Sequence, residues 1–227
     1  MPMPRSSSAR RAAPARLSAP AALLLLVAAG CGGGSAPLAG SLDGAQRAGL
    51  NRTWSQRITA TSASSDEAVA QATKLYRTCA TLEQGSTFLQ AVHATCAPTA
   101  VSVKLGAVLP QRCATPTRQC VRVLDRAKAA NDTLLASLLQ LSDAVKTVTQ
   151  DRDCRAEFTT DAARAQRYRD LSTAYDALAL GIERGDTAIT KLGRRRVEEA
   201  NAAISSRLTA NEQIARFRQA CGIADDA

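Results

Sequence analysis

From Val123 to Val148 the chain repeats apolar residues at steps of three and four: Val123, Ala127, Ala130, Leu134, Leu138, Leu141, Val145 and Val148. That spacing tracks the 3.6-residue turn of an α-helix and puts all of them on one face, whereas a strand would scatter them over both. The same period returns in Phe158, Ala162, Ala165, Tyr168, Leu171, Tyr175, Leu178 and Ile182, after a break at Gln150 to Asp153. A last helix uses Ile189, Leu192, Val197, Ala200, Ile204, Leu208, Ile214 and Phe217, ending at Cys221-Gly222. Thr115-Pro116 reads as a start for the first of the three, an N-cap residue with proline at the first helical position. Gly185-Asp186 reads as a helix stop and a new N-cap between the last two. Helices of about 30 residues rise about 45 Å. Joined by turns this short they must run antiparallel, so the chain predicts an all-α fold, an elongated antiparallel helical bundle. Its apolar positions are mostly Ala, Leu and Val, which favours close helix packing.

The preceding third of the chain is less regular. Leu42 to Thr59 is a candidate helix with Leu50, Trp54 and Ile58 at four-residue steps. Ser64 and Glu67 have capping-box spacing ahead of a stripe of Val69, Ala72, Tyr76, Cys79 and Leu82, with Gly85 as the stop. Ser86 or Thr87 then caps a short helix through Phe88, Leu89, Val92 and Cys96, which Pro98 closes. Residues 97–116 hold Pro98, Gly106, Pro110 and Pro116 without a helical period, and read as a long connection tied down by cysteines. The expected total is about four to five helices.

At the other end of the chain, Arg5, Arg10, Arg11 and Arg16 precede an apolar run from Leu17 that leads through small residues to Cys31. A basic segment, an apolar core and a small-residue exit describe a secretory signal. The run from Leu17 to Gly30 is fourteen residues, short of the ~20 that a membrane-spanning helix needs. Ala28-Ala29-Gly30-Cys31 resembles the lipobox of bacterial lipoproteins, with Ala28 where Leu is commonest. In that family the cysteine is alkylated with diacylglycerol and a dedicated signal peptidase cuts before it. The resemblance implies a lipid anchor on Cys31 and a place on the outer face of a bacterial membrane, cell membrane or outer membrane. The expected organisation is a signal peptide over 1–30, a Gly-rich tether over 31–41, a bundle over 42–222 and a tail over 223–227.

Seven cysteines are one too many for pairing in an exported protein, and lipidation of Cys31 leaves six. In an oxidising compartment Cys79, Cys96, Cys113, Cys120, Cys154 and Cys221 are expected to form three disulfides. Cys154 lies 31 residues before Gly185 and Cys221 lies 36 after it, so a hairpin turning there brings both to one end and favours Cys154–Cys221. The turn at Gly85 favours Cys79–Cys96, which leaves Cys113–Cys120. The competing arrangement is Cys79–Cys120 with Cys96–Cys113. The alternative use of these thiols is metal binding, with His93 and Cys96 three apart and Cys113 and Cys120 in reserve. Zinc sites use tighter cysteine pairs, and no metal or other cofactor is expected.

Composition narrows the function classes. Aromatic residues are 3% of the chain and there is one histidine, His93. So few rings make a stacking platform for sugars or bases hard to build, and Ser–His or Cys–His chemistry would have to run through His93. Of 29 Lys and Arg, four lie in the signal, leaving 25 against 20 acidic residues. That modest excess suits anionic lipid or cell-wall polymer and is too interspersed to argue for nucleic acid. No phosphate loop, nucleophile elbow or HExxH motif is present. Asp66/Glu67, Asp151/Asp153, Glu198/Glu199 and Asp225/Asp226 read as caps or solvated faces.

Arg184-Gly185-Asp186 resembles an integrin-binding tripeptide but is accounted for as a C-cap glycine followed by an N-cap aspartate. Arg194-Arg195-Arg196 with Glu198 and Glu199 reads as a solvated face with i,i+4 pairs, and Gly193 beside it as a possible kink. Asn51 and Asn131 open glycosylation sequons that would be idle in a bacterium. The expectation is a non-enzymatic helical interaction or scaffold module without catalytic residues. Its partners would be the membrane, through the anchor, and an envelope protein or anionic cell-wall polymer. The alternative is a small-ligand or ion-binding lipoprotein that uses a bundle cavity or the 97–116 segment.

Overall fold

Asp43 accepts the backbone N–H of Gln46 at 2.8 Å, and Gln46 Oε1 accepts that of Asp43 at 3.2 Å. This reciprocal cap opens α1 (Gly44–Ser62) in the computed structural model, which describes residues 38–223. The helices α2 (Ser65–Cys79), α3 (Thr87–Arg112), α4 (Arg118–Ala144), α5 (Arg152–Phe158), α6 (Ala162–Glu183), α7 (Thr187–Ile204) and α8 (Ala210–Cys221) follow. Side chains of Ser86, Thr117, Asp151, Asp161, Asp186 and Thr209 accept first-turn N–H groups of α3 to α8 in order, filling donors that a helix start leaves open. The described residues form a helical bundle in which α3 packs on α2 and α4, α6 on α4 and α7, and α1 on α2 and α8.

The expected signal peptide, Cys31 and most of the expected tether lie outside the described residues. The packed domain includes residues before Leu42. Leu38 is fully buried in the core, and Ser41 Oγ donates to the Val148 carbonyl at 2.7 Å. At the other end Ile223, placed in the tail by sequence, is also buried in the core.

The eight α-helices among the described residues exceed the four to five expected, because two long periodic runs are interrupted. Residues 159–161 separate α5 from α6, and 205–209 separate α7 from α8. The 97–116 connection is the largest correction, since α3 continues through Pro98 and Pro110 to Arg112. A proline inside a helix removes one hydrogen bond and costs about 3 kcal/mol. Burial of Phe88, Leu89, Val92, Ala100 and Leu109 along α3 outweighs it, since a large apolar side chain contributes about 1.5–3 kcal/mol when fully buried. Among the described residues α3 is also the one helix long and apolar enough to cross a membrane. The cap of α4 is Thr117, so Pro116 stands outside that helix rather than at its first position.

The buried stripe of α2 is Ala68, Ala72, Leu75 and Cys79. Val69 and Tyr76, assigned to it from sequence, are 43% and 60% exposed. Ser64 occupies the N-cap of α2 without accepting a backbone bond; its hydroxyl lies 3.4 Å from the Glu67 carboxylate instead.

Scarce aromatics are concentrated rather than spread. The single Trp and all three Phe meet where α1, α3, α5 and α8 converge. Phe158 is the hub, with ring centroids 4.6 Å from Trp54, 5.1 Å from Phe88 and 5.8 Å from Phe217. Such tilted and edge-on pairs add about 0.5–1.5 kcal/mol beyond their area. The disulfide Cys154–Cys221 ties α5 to α8 inside this cluster. Cys79–Cys96 joins α2 to α3, and Cys113–Cys120 spans the turn from α3 to α4. Hairpin register favours the first two of these pairs, and the third is the remainder.

The turn between α6 and α7 spends no spare residue. Gly185 has φ +65°, a left-handed conformation that glycine adopts without penalty. The Asp186 N–H returns to the Gly181 carbonyl at 2.9 Å and the Gly185 N–H to that of Ile182 at 3.1 Å, a Schellman closure. The Asp186 carboxylate then caps α7 through the N–H groups of Ala188 and Ile189. Glycines also set the spacing of the two helices. A Cβ at Gly193 would lie 2.6 Å from Leu178 Cα, and one at Gly181 would lie 2.6 Å from the Thr190 nitrogen. Gly193 therefore serves close backbone approach, the role that sequence had read as a kink.

Candidate functional site

The two interruptions that divide the long helical runs face a common space. It is a cleft of about 410 Å³ bounded by the end of α1, by α5, the start of α6, the 205–209 connection and α8. That volume falls in the range of small-molecule sites. Its charged lining is Arg57, Arg164, Arg167 and Arg216 against Glu157 and Asp161.

Arg57 is the unusual member. One helical turn after Trp54, its guanidinium carbon lies 4.5 Å from the centroid of the indole ring, and the ring's other contacts are Phe158 and Phe217 of the aromatic cluster. Arg57 is only 7% exposed. Its Nε donates to Thr99 Oγ1 at 3.4 Å, and that hydroxyl is itself committed to the Thr95 carbonyl. Burial pushes the Arg57 pKa down to about 10, with Tyr168 acting to raise it and the like charge of Arg164 to lower it further. The side chain remains protonated at neutral pH. Among the described residues it has no ion pair, although arginine in folded interiors is ordinarily paired.

The two carboxylates of the cleft are already engaged. Glu157 pairs with Arg216 at 2.8 Å. Asp161 caps α6 by accepting the Arg164 N–H at 2.6 Å. Arg167 donates to the Ala203 carbonyl at 3.0 Å, which ties α6 to the last turn of α7. Arg57 and Arg164 therefore face the cleft without an acidic partner, and Arg167 with only a neutral one. Interleaved with them are Trp54, Ile58, Tyr168, Ile204 and Leu208, and the hydroxyls of Thr61, Ser62, Ser205 and Ser206. His93 is not among the lining residues. Chemically, the arrangement offers strong, oriented donors to an oxyanion beside apolar surface.

Other residues singled out by sequence are accounted for elsewhere. The six cysteines are occupied in disulfides, which removes the thiolates that the metal alternative needed beside His93. Asn51 and Asn131 are buried; Asn51 accepts from Arg218 Nε and Asn131 donates to the Tyr168 carbonyl, so neither sequon presents its amide. Arg195 pairs with Glu199 on an exposed face, as the i,i+4 spacing implies. Arg194 departs from that pattern. It reaches across to the Cys113 and Ala114 carbonyls at the end of α3.

No protein-family model matches the chain, and neither a curated protein nor a solved structure matches it significantly. What its fold and site define is a class in physical terms, a disulfide-tied helical bundle with a cationic cleft. The three disulfides are consistent with a location outside the cytoplasm.

Proposed function

We propose that the chain is an extracytoplasmic lipoprotein, held at a bacterial membrane by acylated Cys31, whose helical domain works by binding rather than by catalysis. The anchor rests on the Ala28-Ala29-Gly30-Cys31 sequence and on the use of the other six cysteines as staples. One observation carries the binding role, the buried and unpaired Arg57 at the arginine-rich cleft. An uncompensated buried charge is costly, and a ligand that supplies the missing charge turns the cost into affinity. This is the bundle-cavity form of ligand binding; the 97–116 form loses its basis because most of that segment is helix.

The alternative is a scaffold that meets a protein or cell-wall polymer along a helix face. It is favoured by Val69 and Tyr76 on α2 and Val101 on α3, all more than two-fifths exposed. A photo-cross-linking residue placed at Ser206 in the cleft, or at Val101, and activated in intact envelopes separates the two. The cleft reading predicts a discrete adduct at Ser206. Capture at Val101 alone points to the scaffold, and capture at neither position contradicts both.

A further inference from the structure

We propose that the cleft takes an oxyanion, a phosphate or carboxylate group, carried on a body with apolar surface, and that Arg57, Arg164 and Arg167 bind it. This rests on the cleft being the working site. Three features of the molecule lead to it together. First, the three guanidinium groups have no carboxylate partner among the described residues, because Glu157 is spent on Arg216 and Asp161 on the cap of α6. Guanidinium is the side chain whose fork of donors matches an oxyanion in two-point fashion. Second, Arg57 is held in place by Trp54 and Thr99. Its position is therefore paid for before any ligand arrives, which is the preorganisation that strengthens binding. Third, the cleft of about 410 Å³ is far larger than one oxyanion needs, and Ile58, Tyr168 and Leu208 supply apolar surface for the remainder of a ligand.

The phosphate chemistry has two possible sources beside a membrane, a soluble ester or a phospholipid headgroup. The test measures melting of the full chain, purified in detergent, against inorganic phosphate, glycerol 3-phosphate, malonate and dihexanoyl-phosphatidic acid, with sodium chloride at matched ionic strength. At least one oxyanion is expected to raise the melting temperature saturably, by about 5–10 °C at a hundredfold excess over Kd. A preference of tenfold or more for dihexanoyl-phosphatidic acid over glycerol 3-phosphate identifies the headgroup source; equal or better binding of the soluble ester identifies the free source. Arg57→Met is expected to lose the anion-dependent rise while its ligand-free melting stays a single cooperative transition. Arg164→Ala with Arg167→Ala, which removes one half-buried and one exposed side chain together with the Arg167 bond to Ala203, is expected to weaken binding at least tenfold while the ligand-free chain still melts cooperatively. An equal rise in sodium chloride, no rise with any of the anions, or unchanged affinity in the double variant overturns the proposal. Should the anions fail while a cross-linker at Ser206 still captures a ligand, the oxyanion falls and the cleft stands.

Discussion

Replacing Cys154 and Cys221 together by alanine is expected to destabilise the domain by about 4 kcal/mol, the largest loss from any one of its disulfides. The two are 67 residues apart in sequence, and loop-closure entropy grows with the length of chain that a cross-link encloses. Local structure points the same way. α5 has seven residues, below the length at which a helix holds itself together in water. Its attachment comes from Cys154 and Phe158, both buried among Trp54, Phe88 and Phe217. Freeing α5 from α8 also loosens the wall of the cleft, where Glu157 of α5 meets Arg216 of α8. Cys79–Cys96 and Cys113–Cys120 close 17 and 7 residues, so double-alanine variants there are expected to cost about 3 and about 2.5 kcal/mol. Urea denaturation midpoints of the three variants check both the size and the order. A loss below about 1 kcal/mol for Cys154/Cys221, or a reversed order, would show that another contact fixes α5.

Gly193→Ala is expected to cost about 1 kcal/mol net despite alanine's better helix propensity. The added Cβ would sit 2.6 Å from Leu178 Cα and 2.8 Å from its backbone nitrogen. Backbone cannot rotate away as a side chain can, so α6 and α7 must separate, and overpacking of this kind costs about 1–3 kcal/mol. Alanine recovers about 1 kcal/mol of propensity, too little to reverse the sign. Gly106 is the internal control. It also lies inside a helix, α3, but a Cβ there meets nothing within 4 Å, so Gly106→Ala is expected to stabilise by up to about 1 kcal/mol. Thermal melts of the two variants should move in opposite directions. Shifts of the same sign would mean that propensity, not helix contact, decides both.

These contrasts also show where sequence was informative. The three-and-four step from Val123 to Ile182 marks a face that is mostly buried, with Ala162 exposed and Val123, Val148 and Ile182 half-buried at its ends, and Gly185-Asp186 announces a turn whose closure follows from residue chemistry alone. Helix register around the turns at Gly85 and Gly185 favoured two of the disulfides found, Cys79–Cys96 and Cys154–Cys221, and left Cys113–Cys120 as the remainder. The failures have tertiary causes. Pro98 and Pro110 argued for a connection, yet burial on α2 and α4 keeps α3 helical through both. Val69 and Tyr76 are apolar at helical spacing, yet Ala68 and Leu75 one position earlier face the core.

The cleft escaped notice for a related reason. It exists because chain breaks at 159–161 and 205–209 interrupt two helical runs, and hydrophobic spacing continues across the first and as far as Leu208 in the second. Capping signals did mark the breaks, Asp161 ahead of α6 and Thr209 with Glu212 ahead of α8. Arg57 carried no such signal. A buried cation is recognisable only once the helices around it are in place.

Acylation of Cys31 would place the domain proposed to bind at a membrane surface and leave six cysteines to pair. Metabolic labelling with a clickable fatty acid, applied to the chain and to Cys31→Ser in a bacterium that processes lipoproteins, tests it directly. Label is expected on the chain and absent from the variant. Label retained by Cys31→Ser, or absent from the unaltered chain, would contradict the anchor.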